Sequence, residues 1–158
     1  MTFDNSAANQ YSEQSSAANG DINADSQPIK ASAPKYKNIL CIEDEHFIGE
    51  LYTRALSKAG YNAKVIIDGA EGLKEALTNK YDIILLDIMV PTITGTEILK
   101  KLREPNVAKK LKAKIIVTTN LEQKDETKAE IEKQADGYIV KAEITPKQLV
   151  RFLQSLEK

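Results

Sequence analysis

The feature that most constrains the fold is a run of four aliphatic residues, Ile83–Leu86, with Asp82 and Asp87 on either side. A short, fully apolar run between polar residues is typical of a strand that is buried on both faces. Similar runs lie at residues 38–42 and 114–118, and segments with helical spacing of apolar residues separate them. This alternation predicts a parallel sheet with helices on both sides, which is a doubly wound α/β domain.

Five strands and five helices are predicted between residues 36 and 158. We expect the strands at residues 38–42, 62–67, 82–86, 114–118 and 137–141. We expect the helices at residues 46–59, 70–77, 98–102 and 122–134, and a last helix that begins at Pro146 with Thr145 as its N-cap. Gly60 stands where the first helix should stop, and Asp68-Gly69 is read as a turn.

Residues 1–35 differ in composition from the rest of the chain. They are rich in Ser, Ala, Asn, Gln and Asp, and this composition offers little apolar surface to bury. We therefore predict a disordered N-terminal tail, followed by one folded domain at residues 36–158.

Charge and composition exclude several classes of function. Lys and Arg number 22 and Asp and Glu number 23, so the chain lacks the basic excess of an electrostatic nucleic-acid binder. No apolar run approaches the roughly 18–20 residues of a membrane span, and the N-terminus does not resemble a signal peptide. We expect a cytoplasmic protein with no direct nucleic-acid or membrane partner. Cys41, the only cysteine, is expected to be a small buried residue on a strand.

Polar residues follow four of the predicted strands. Glu43, Asp44 and Glu45 follow the first, Asp87 the third, Thr119 the fourth, and Lys141 ends the fifth. In doubly wound sheets, ligands bind beyond the carboxyl ends of the strands. Clustered carboxylates repel each other, and a hard cation such as Mg²⁺ relieves this repulsion through oxygen ligands.

This set of groups suits phosphoryl transfer. Asp87 is a candidate nucleophile that would form an acyl phosphate, while Lys141 and Mg²⁺ would neutralise charge on the phosphoryl oxygens. Thr119 would donate a hydrogen bond to the attached group. Each residue alone has an ordinary structural alternative, since such an Asp often forms a turn, a Thr caps a helix, and a Lys is solvated. The prediction depends on the combination of groups in this order.

Four segments carry a resemblance to the receiver domains of bacterial response regulators. They are residues 39–45, residues 82–91 with the following Gly95, residues 117–119 and residues 137–141. The resemblance covers residues 36–158. It implies a flavodoxin-like fold with strand order 2-1-3-4-5 and a phosphorylation-dependent switch of a two-component system.

The resemblance also implies roles for individual residues. Asp87 is similar to the phosphoacceptor of the family. Asp44, Asp87 and the backbone carbonyl of Met89 would ligate Mg²⁺, and Glu43 would act through a metal-bound water. Thr119 would bind the phosphoryl oxygens with Lys141.

A further pair of residues resembles the switch of the family. Thr119 would move on phosphorylation, and the ring of Tyr138 would turn inward in response. The alternative for Tyr138 is an ordinary half-buried aromatic residue on a strand.

The implied partners are a histidine kinase or histidine phosphotransfer protein as donor and an unidentified downstream protein. No residue follows Lys158 in the sequence, so we expect a stand-alone, chemotaxis-type regulator. It would act by docking through its fourth helix, fifth strand and fifth helix. It would be a monomer or a phosphorylation-dependent dimer, and it would assist only its own phosphorylation and dephosphorylation.

Three departures from the family pattern have consequences. Ala142 follows Lys141 where the family usually has proline, which leaves the isomer of that peptide bond open. Asn120 stands where a small residue is common, so it either slows access to the site or adds a hydrogen bond. Met89 and Leu121 are apolar where many members carry polar groups, and from this pair we predict a long-lived acyl phosphate.

Two other functions remain as alternatives. The chain could be a phosphorylation-independent interaction module with a vestigial site. A phosphohydrolase with an aspartyl nucleophile is disfavoured, because such enzymes usually place a second carboxylate two residues later and this chain has Met89 there.

Overall fold

Five parallel strands form one sheet in the order β2-β1-β3-β4-β5, as predicted. The structure is a computed structural model that describes residues 33–120 and 125–158. The strands are β1 (Asn38–Ile42), β2 (Asn62–Ile66), β3 (Ile83–Asp87), β4 (Lys114–Thr119) and β5 (Gly137–Val140). Most of the predicted tail, and Leu121 of the predicted apolar pair, lie outside the described residues.

Six α-helices and one 3₁₀ turn connect the strands in the described part of the chain. The helices are α1 (His46–Lys58), α2 (Gly69–Ala76), α3 (Gly95–Leu102), α4 (Pro105–Ala108), α5 (Asp125–Gln134) and α6 (Pro146–Ser155), and the 3₁₀ turn is Lys141–Glu143. No helix in these residues is long and apolar enough to cross a membrane.

The apolar strands are buried on both faces because side chains alternate along each strand. On one face, Leu40 and Leu86 pack against α2, α3 and α5. On the other face, Cys41 and Leu85 pack against α1 and α6. β2 lies at an edge of the sheet, and its residues are more exposed than those of β1 and β3. β1 and β3 are therefore fixed from both sides, and the positions of their carboxyl ends are well defined.

Helix caps explain several boundaries. Thr145 accepts a hydrogen bond from the backbone of Gln148, and Pro146 is the first residue of α6, as predicted. Gly60 has a φ of 92°, a left-handed conformation that suits glycine just beyond the end of α1. Asp68 is more than a turn residue, because its side chain accepts the backbone N–H of Glu71 and caps α2.

The short helix α4 was not predicted. It begins with Pro105, which is favoured at the first position of a helix, and it ends after a single turn. Four residues are too few to show a helical period in the sequence.

Candidate functional site at the carboxyl edge of the sheet

The register of the sheet aligns the ends of the four strands that carry the predicted site residues. Ile42 of β1 pairs with Leu86 of β3, so Glu43 and Asp87 are the next residues along neighbouring strands. Thr119 of β4 pairs with Val140 of β5, directly before Lys141. The fold therefore delivers the carboxylates, the hydroxyl and the ammonium to one edge.

Lys141 lies between two buried carboxylates. Its Nζ atom is 2.7 Å from Glu43 Oε2 and 3.1 Å from Asp87 Oδ2. The three side chains are at most 2% exposed. One ammonium thus faces two buried carboxyl groups, and the cluster has a net negative charge when both of them are ionised.

Burial and pairing shift the pKa values of Glu43 and Lys141. Burial raises the pKa of Glu43 to about 7, and the hydrogen bond from Lys141 opposes this rise. Burial lowers the pKa of Lys141, but its hydrogen bond to Glu43 and the charge of Asp87 outweigh burial and raise it overall. Lys141 is therefore a firmly charged ammonium, as charge neutralisation on a phosphoryl group would require.

Three carboxylates in the described residues are arranged for a cation. Ligand oxygens of Glu43, Asp44 and Asp87 all lie within 4.8 Å of one another. Glu43 and Asp87 are buried and Asp44 is exposed, so of these three carboxylates only Asp44 is in direct contact with solvent. An all-oxygen set with excess negative charge fits a hard divalent cation such as Mg²⁺. The backbone N–H of Met89 donates to Asp87 Oδ1 at 3.1 Å, while the metal-binding role of the Met89 carbonyl remains a prediction.

Gly95 supports the backbone of the candidate nucleophile. The N–H of Gly95 donates to the carbonyl of Ile88 at 2.9 Å. A Cβ atom at position 95 would overlap the backbone carbonyl oxygen of Asp87. Glycine is required there because α3 begins in direct contact with the end of β3.

The two predicted switch residues lie on neighbouring strands. Thr119 is buried at the end of β4. The hydroxyl of Tyr138 is buried without a hydrogen-bond partner in the described part of the structure, and Lys128 Nζ is 5.4 Å from the centre of its ring. A buried hydroxyl without a partner is costly, so this side chain is poised to gain stability by moving.

The departures from the family pattern have structural outcomes. The described residues contain no cis peptide bond, so Lys141–Ala142 is trans, and Lys141 still reaches the carboxylates. Met89 is 69% exposed at the edge of the site. The long-lived acyl phosphate remains a prediction.

Asn120 donates a hydrogen bond from Nδ2 to Glu45 Oε1 at 2.7 Å. An added hydrogen bond was one of the two alternatives predicted for Asn120, but Glu45 was not predicted as its partner. The feature of the sequence that could have indicated this bond was Glu45, the third acidic residue after β1, to which no role was assigned.

Comparisons with known proteins agree with this geometry. Response regulator ArlR of Staphylococcus aureus is 37% identical over 103 residues, which are 65% of this chain and 45% of ArlR. The chain thus spans a little under half the length of this relative.

Solved structures show the same fold. The chemotaxis response regulator CheY4 of Vibrio cholerae has 30% identity and a TM-score of 0.66, and the match covers 76% of this chain and 98% of CheY4. The BeF3-activated N-terminal receiver domain of RstA from Klebsiella pneumoniae has 26% identity and a TM-score of 0.65, with coverage of 77% and 97%. The profile of the response regulator receiver domain family matches residues 39–154, and the chain belongs to that family.

Proposed function

We propose that this domain is a phosphorylation-dependent switch of a two-component system. It accepts a phosphoryl group on Asp87 from a histidine kinase or a histidine phosphotransfer protein, with Mg²⁺ bound by Asp44, Asp87 and the backbone carbonyl of Met89, and by Glu43 through a metal-bound water. The observation that carries this proposal is the position of Asp87, which contacts Lys141 and shares a potential cation site with two further carboxylates.

The proposed step is a displacement at phosphorus. An oxygen of the Asp87 carboxylate forms a bond to phosphorus, and the bond from phosphorus to the donor's imidazole nitrogen breaks. The electron pair of that bond stays on the nitrogen, and because the other nitrogen of the donor ring carries a proton, the donor leaves as neutral imidazole. Mg²⁺ held by these residues would supply positive charge to the phosphoryl oxygens and would reduce repulsion between the carboxylate and the donor.

The protein's own groups orient this reaction. The N–H of Met89 holds Asp87 Oδ1, and Lys141 approaches Oδ2. As negative charge moves onto the Asp87 acyl phosphate, Lys141 follows it and binds a phosphoryl oxygen. The hydroxyl of Thr119, at the end of the adjacent strand β4, binds another.

The output is a change in the docking surface. Charge added at Asp87 pulls Thr119 and Lys141 towards the phosphoryl group, and Tyr138 moves into the space vacated near Thr119. The downstream partner is a protein that binds the face formed by α5, β5 and α6. The domain acts in the cytoplasm, as a monomer or a phosphorylation-dependent dimer, and acts on no substrate other than its own acyl phosphate.

The test is phosphorylation of the purified protein by acetyl phosphate and by a candidate histidine kinase, each with Mg²⁺ and with EDTA. We expect one base-labile, hydroxylamine-sensitive phosphoryl group per chain, which requires Mg²⁺ and is lost in Asp87→Ala. Beryllofluoride is a second probe, since the similar receiver domain of RstA is described as BeF3-activated.

The result that contradicts the proposal is the absence of both phosphorylation and beryllofluoride binding in a folded protein. That result would favour a phosphorylation-independent interaction module. Continuous phosphate release from a range of phosphomonoesters would instead favour a phosphohydrolase.

A further inference from the structure

Asp87 is too deeply buried to meet a phosphoryl donor without a local opening. Its side chain is 2% exposed, although it ends a strand at the solvent edge of the sheet. The groups that cover the end of β3 therefore determine how quickly a donor reaches it.

One hydrogen bond spans the end of β3. β3 lies between β1 and β4, whose backbones are roughly 9–10 Å apart across it. Glu45 lies just beyond β1, and Asn120 directly follows β4. Their side chains, 75 residues apart in sequence, meet at 2.7 Å. A bond between the two neighbours of β3 must cross its carboxyl end.

Two further contacts hold this bond over the site. Glu45 Oε1, the atom that accepts from Asn120, is 3.9 Å from Lys141 Nζ, which in turn contacts Asp87. The backbone N–H of Glu45 donates to Glu43 Oε1 at 3.2 Å. Glu45 and Asn120 are exposed, whereas Glu43, Asp87 and Lys141 are buried. The Glu45–Asn120 pair is thus the outer layer of the site.

We propose that the Glu45–Asn120 hydrogen bond is a strap across the carboxyl end of β3 that must open before a phosphoryl donor reaches Asp87. Glu45 and Asn120 are positioning residues that set the rate of access. A small donor such as acetyl phosphate has to wait for spontaneous opening. A protein donor can supply its own hydrogen-bond donor to Glu45 and open the strap as it docks. The strap therefore favours protein donors over small acyl phosphates, and this part of the inference depends on the proposed function.

Access is measured first without any phosphorylation. In an Asp87→Cys background, the rate at which neutral iodoacetamide alkylates the introduced thiol reports how often position 87 opens. Cys41 is 2% exposed, and burial raises the pKa of its thiol to about 12, so the protein without Asp87→Cys serves as the unlabelled blank. A neutral reagent is used because the acidic site would attract or repel a charged one.

Three variants separate the bond from the side chains that form it. Asn120→Ala and Glu45→Ala each remove the strap. We expect each substitution to raise the alkylation rate by about three- to tenfold, which corresponds to the net free energy of one hydrogen bond. The double variant should be no faster than the faster single variant, because only one bond is lost. Glu45→Gln keeps an acceptor for Asn120 and removes the charge, so it should stay within about twofold of the parent.

Several results would refute the proposal that this hydrogen bond limits access to Asp87. Unchanged alkylation in Asn120→Ala would show that the bond does not limit access. Acceleration in Asn120→Ala but not in Glu45→Ala would assign the effect to bulk at position 120. Effects that multiply in the double variant would assign them to two independent contacts.

The second measurement uses variants that retain Asp87. Asn120→Ala and Glu45→Ala should be phosphorylated about three- to tenfold faster by acetyl phosphate, with a smaller gain for a histidine phosphotransfer donor. Equal gains with both donors would refute the selectivity. If alkylation responds as expected but none of the variants accepts a phosphoryl group, the strap is supported and the proposed function is refuted. If the parent and the variants are phosphorylated at the same rate and the alkylation rate is unchanged, the proposed function is supported and the strap is refuted.

Discussion

Replacing Lys141 by methionine tests how the site balances its charges. The side chain of methionine fills similar volume without the ammonium, so Glu43 and Asp87 lose their shared partner. Both carboxylates are almost fully buried, and neither can turn to water without disturbing the end of its strand.

The geometry gives the size of the effect. At an effective dielectric constant of about 20, contacts of 2.7 and 3.1 Å represent roughly 6 and 5 kcal/mol of attraction before desolvation is counted. Desolvation of the lysine cancels much of this attraction, and removal of one partner from a buried pair costs about 3–5 kcal/mol. We expect Lys141→Met to lower the free energy of unfolding by that amount at pH 8 without divalent cations.

The loss should shrink as the pH falls. The pKa of Glu43 in the folded protein is about 7, above its ordinary value of 4.5, so folding favours its protonated form. The cost of ionising Glu43 is absent below pH 4.5, grows between pH 4.5 and 7, and is complete above pH 7. Without Lys141, which opposes the rise, the upper limit of this window moves to higher pH, while the lower limit stays at the ordinary pKa of 4.5. At pH 5, a protonated Glu43 no longer repels Asp87, and the variant should recover part of its stability.

The assay is urea unfolding followed by circular dichroism at pH 5 and pH 8 in EDTA. Lys112→Met is the matched control, because Lys112 pairs with Asp82 at 3.4 Å but is 51% exposed. An exposed pair contributes about 0–1 kcal/mol, so this control should change little at either pH. If Lys141→Met lowers the free energy of unfolding by less than about 1 kcal/mol, or by the same amount at both pH values, Glu43 and Asp87 do not depend on Lys141 for charge compensation.

Three other substitutions test different parts of the structure. Gly95→Ala should destabilise the fold by about 2 kcal/mol or more, measured by urea unfolding, because its methyl group would overlap the carbonyl of Asp87; an unchanged midpoint would contradict the close contact. Thr145→Ala should cost about 1 kcal/mol through loss of the α6 cap, with Thr145→Ser as a control that keeps the hydroxyl. Millimolar Mg²⁺ should raise the thermal midpoint of the parent and much less that of Asp44→Asn, which loses one exposed carboxylate of the proposed site; an equal rise in both proteins would exclude Asp44 as a ligand.

The sequence was sufficient to predict the sheet and the edge that carries the site. The apolar runs of β1, β3 and β4 are long enough to identify buried strands, and a parallel sheet places their carboxyl ends together. The strand order came from the family resemblance, and the structure confirms it. The position of β2 at the edge agrees with its mixed composition, since its residues are exposed or only partly buried.

Contacts between side chains could not be predicted from the sequence. The longer chain of Glu43 reaches Lys141, although sequence reasoning assigned Glu43 only to the metal. The Glu45–Asn120 bond depends on the register of two strands that are not adjacent, and no local pattern reports it. Helix α4 and the cap formed by Asp68 were missed for a similar reason, since one turn or one hydrogen bond leaves no period to detect.

The arrangement of Lys141 suggests how a local charge change reaches the rest of the domain. In the unphosphorylated protein, one ammonium is shared between Glu43 and Asp87. A phosphoryl group adds negative charge and three acceptor oxygens, so the better position for Lys141 is beside that group rather than beside Glu43. Lys141 directly follows β5, which also carries Tyr138, whose buried hydroxyl has no hydrogen-bond partner among the described residues. A shift at the end of β5 therefore acts on a side chain that can gain a hydrogen bond by moving. Under the proposed function, competition between Glu43 and the phosphoryl group for one lysine would convert phosphorylation into a new surface.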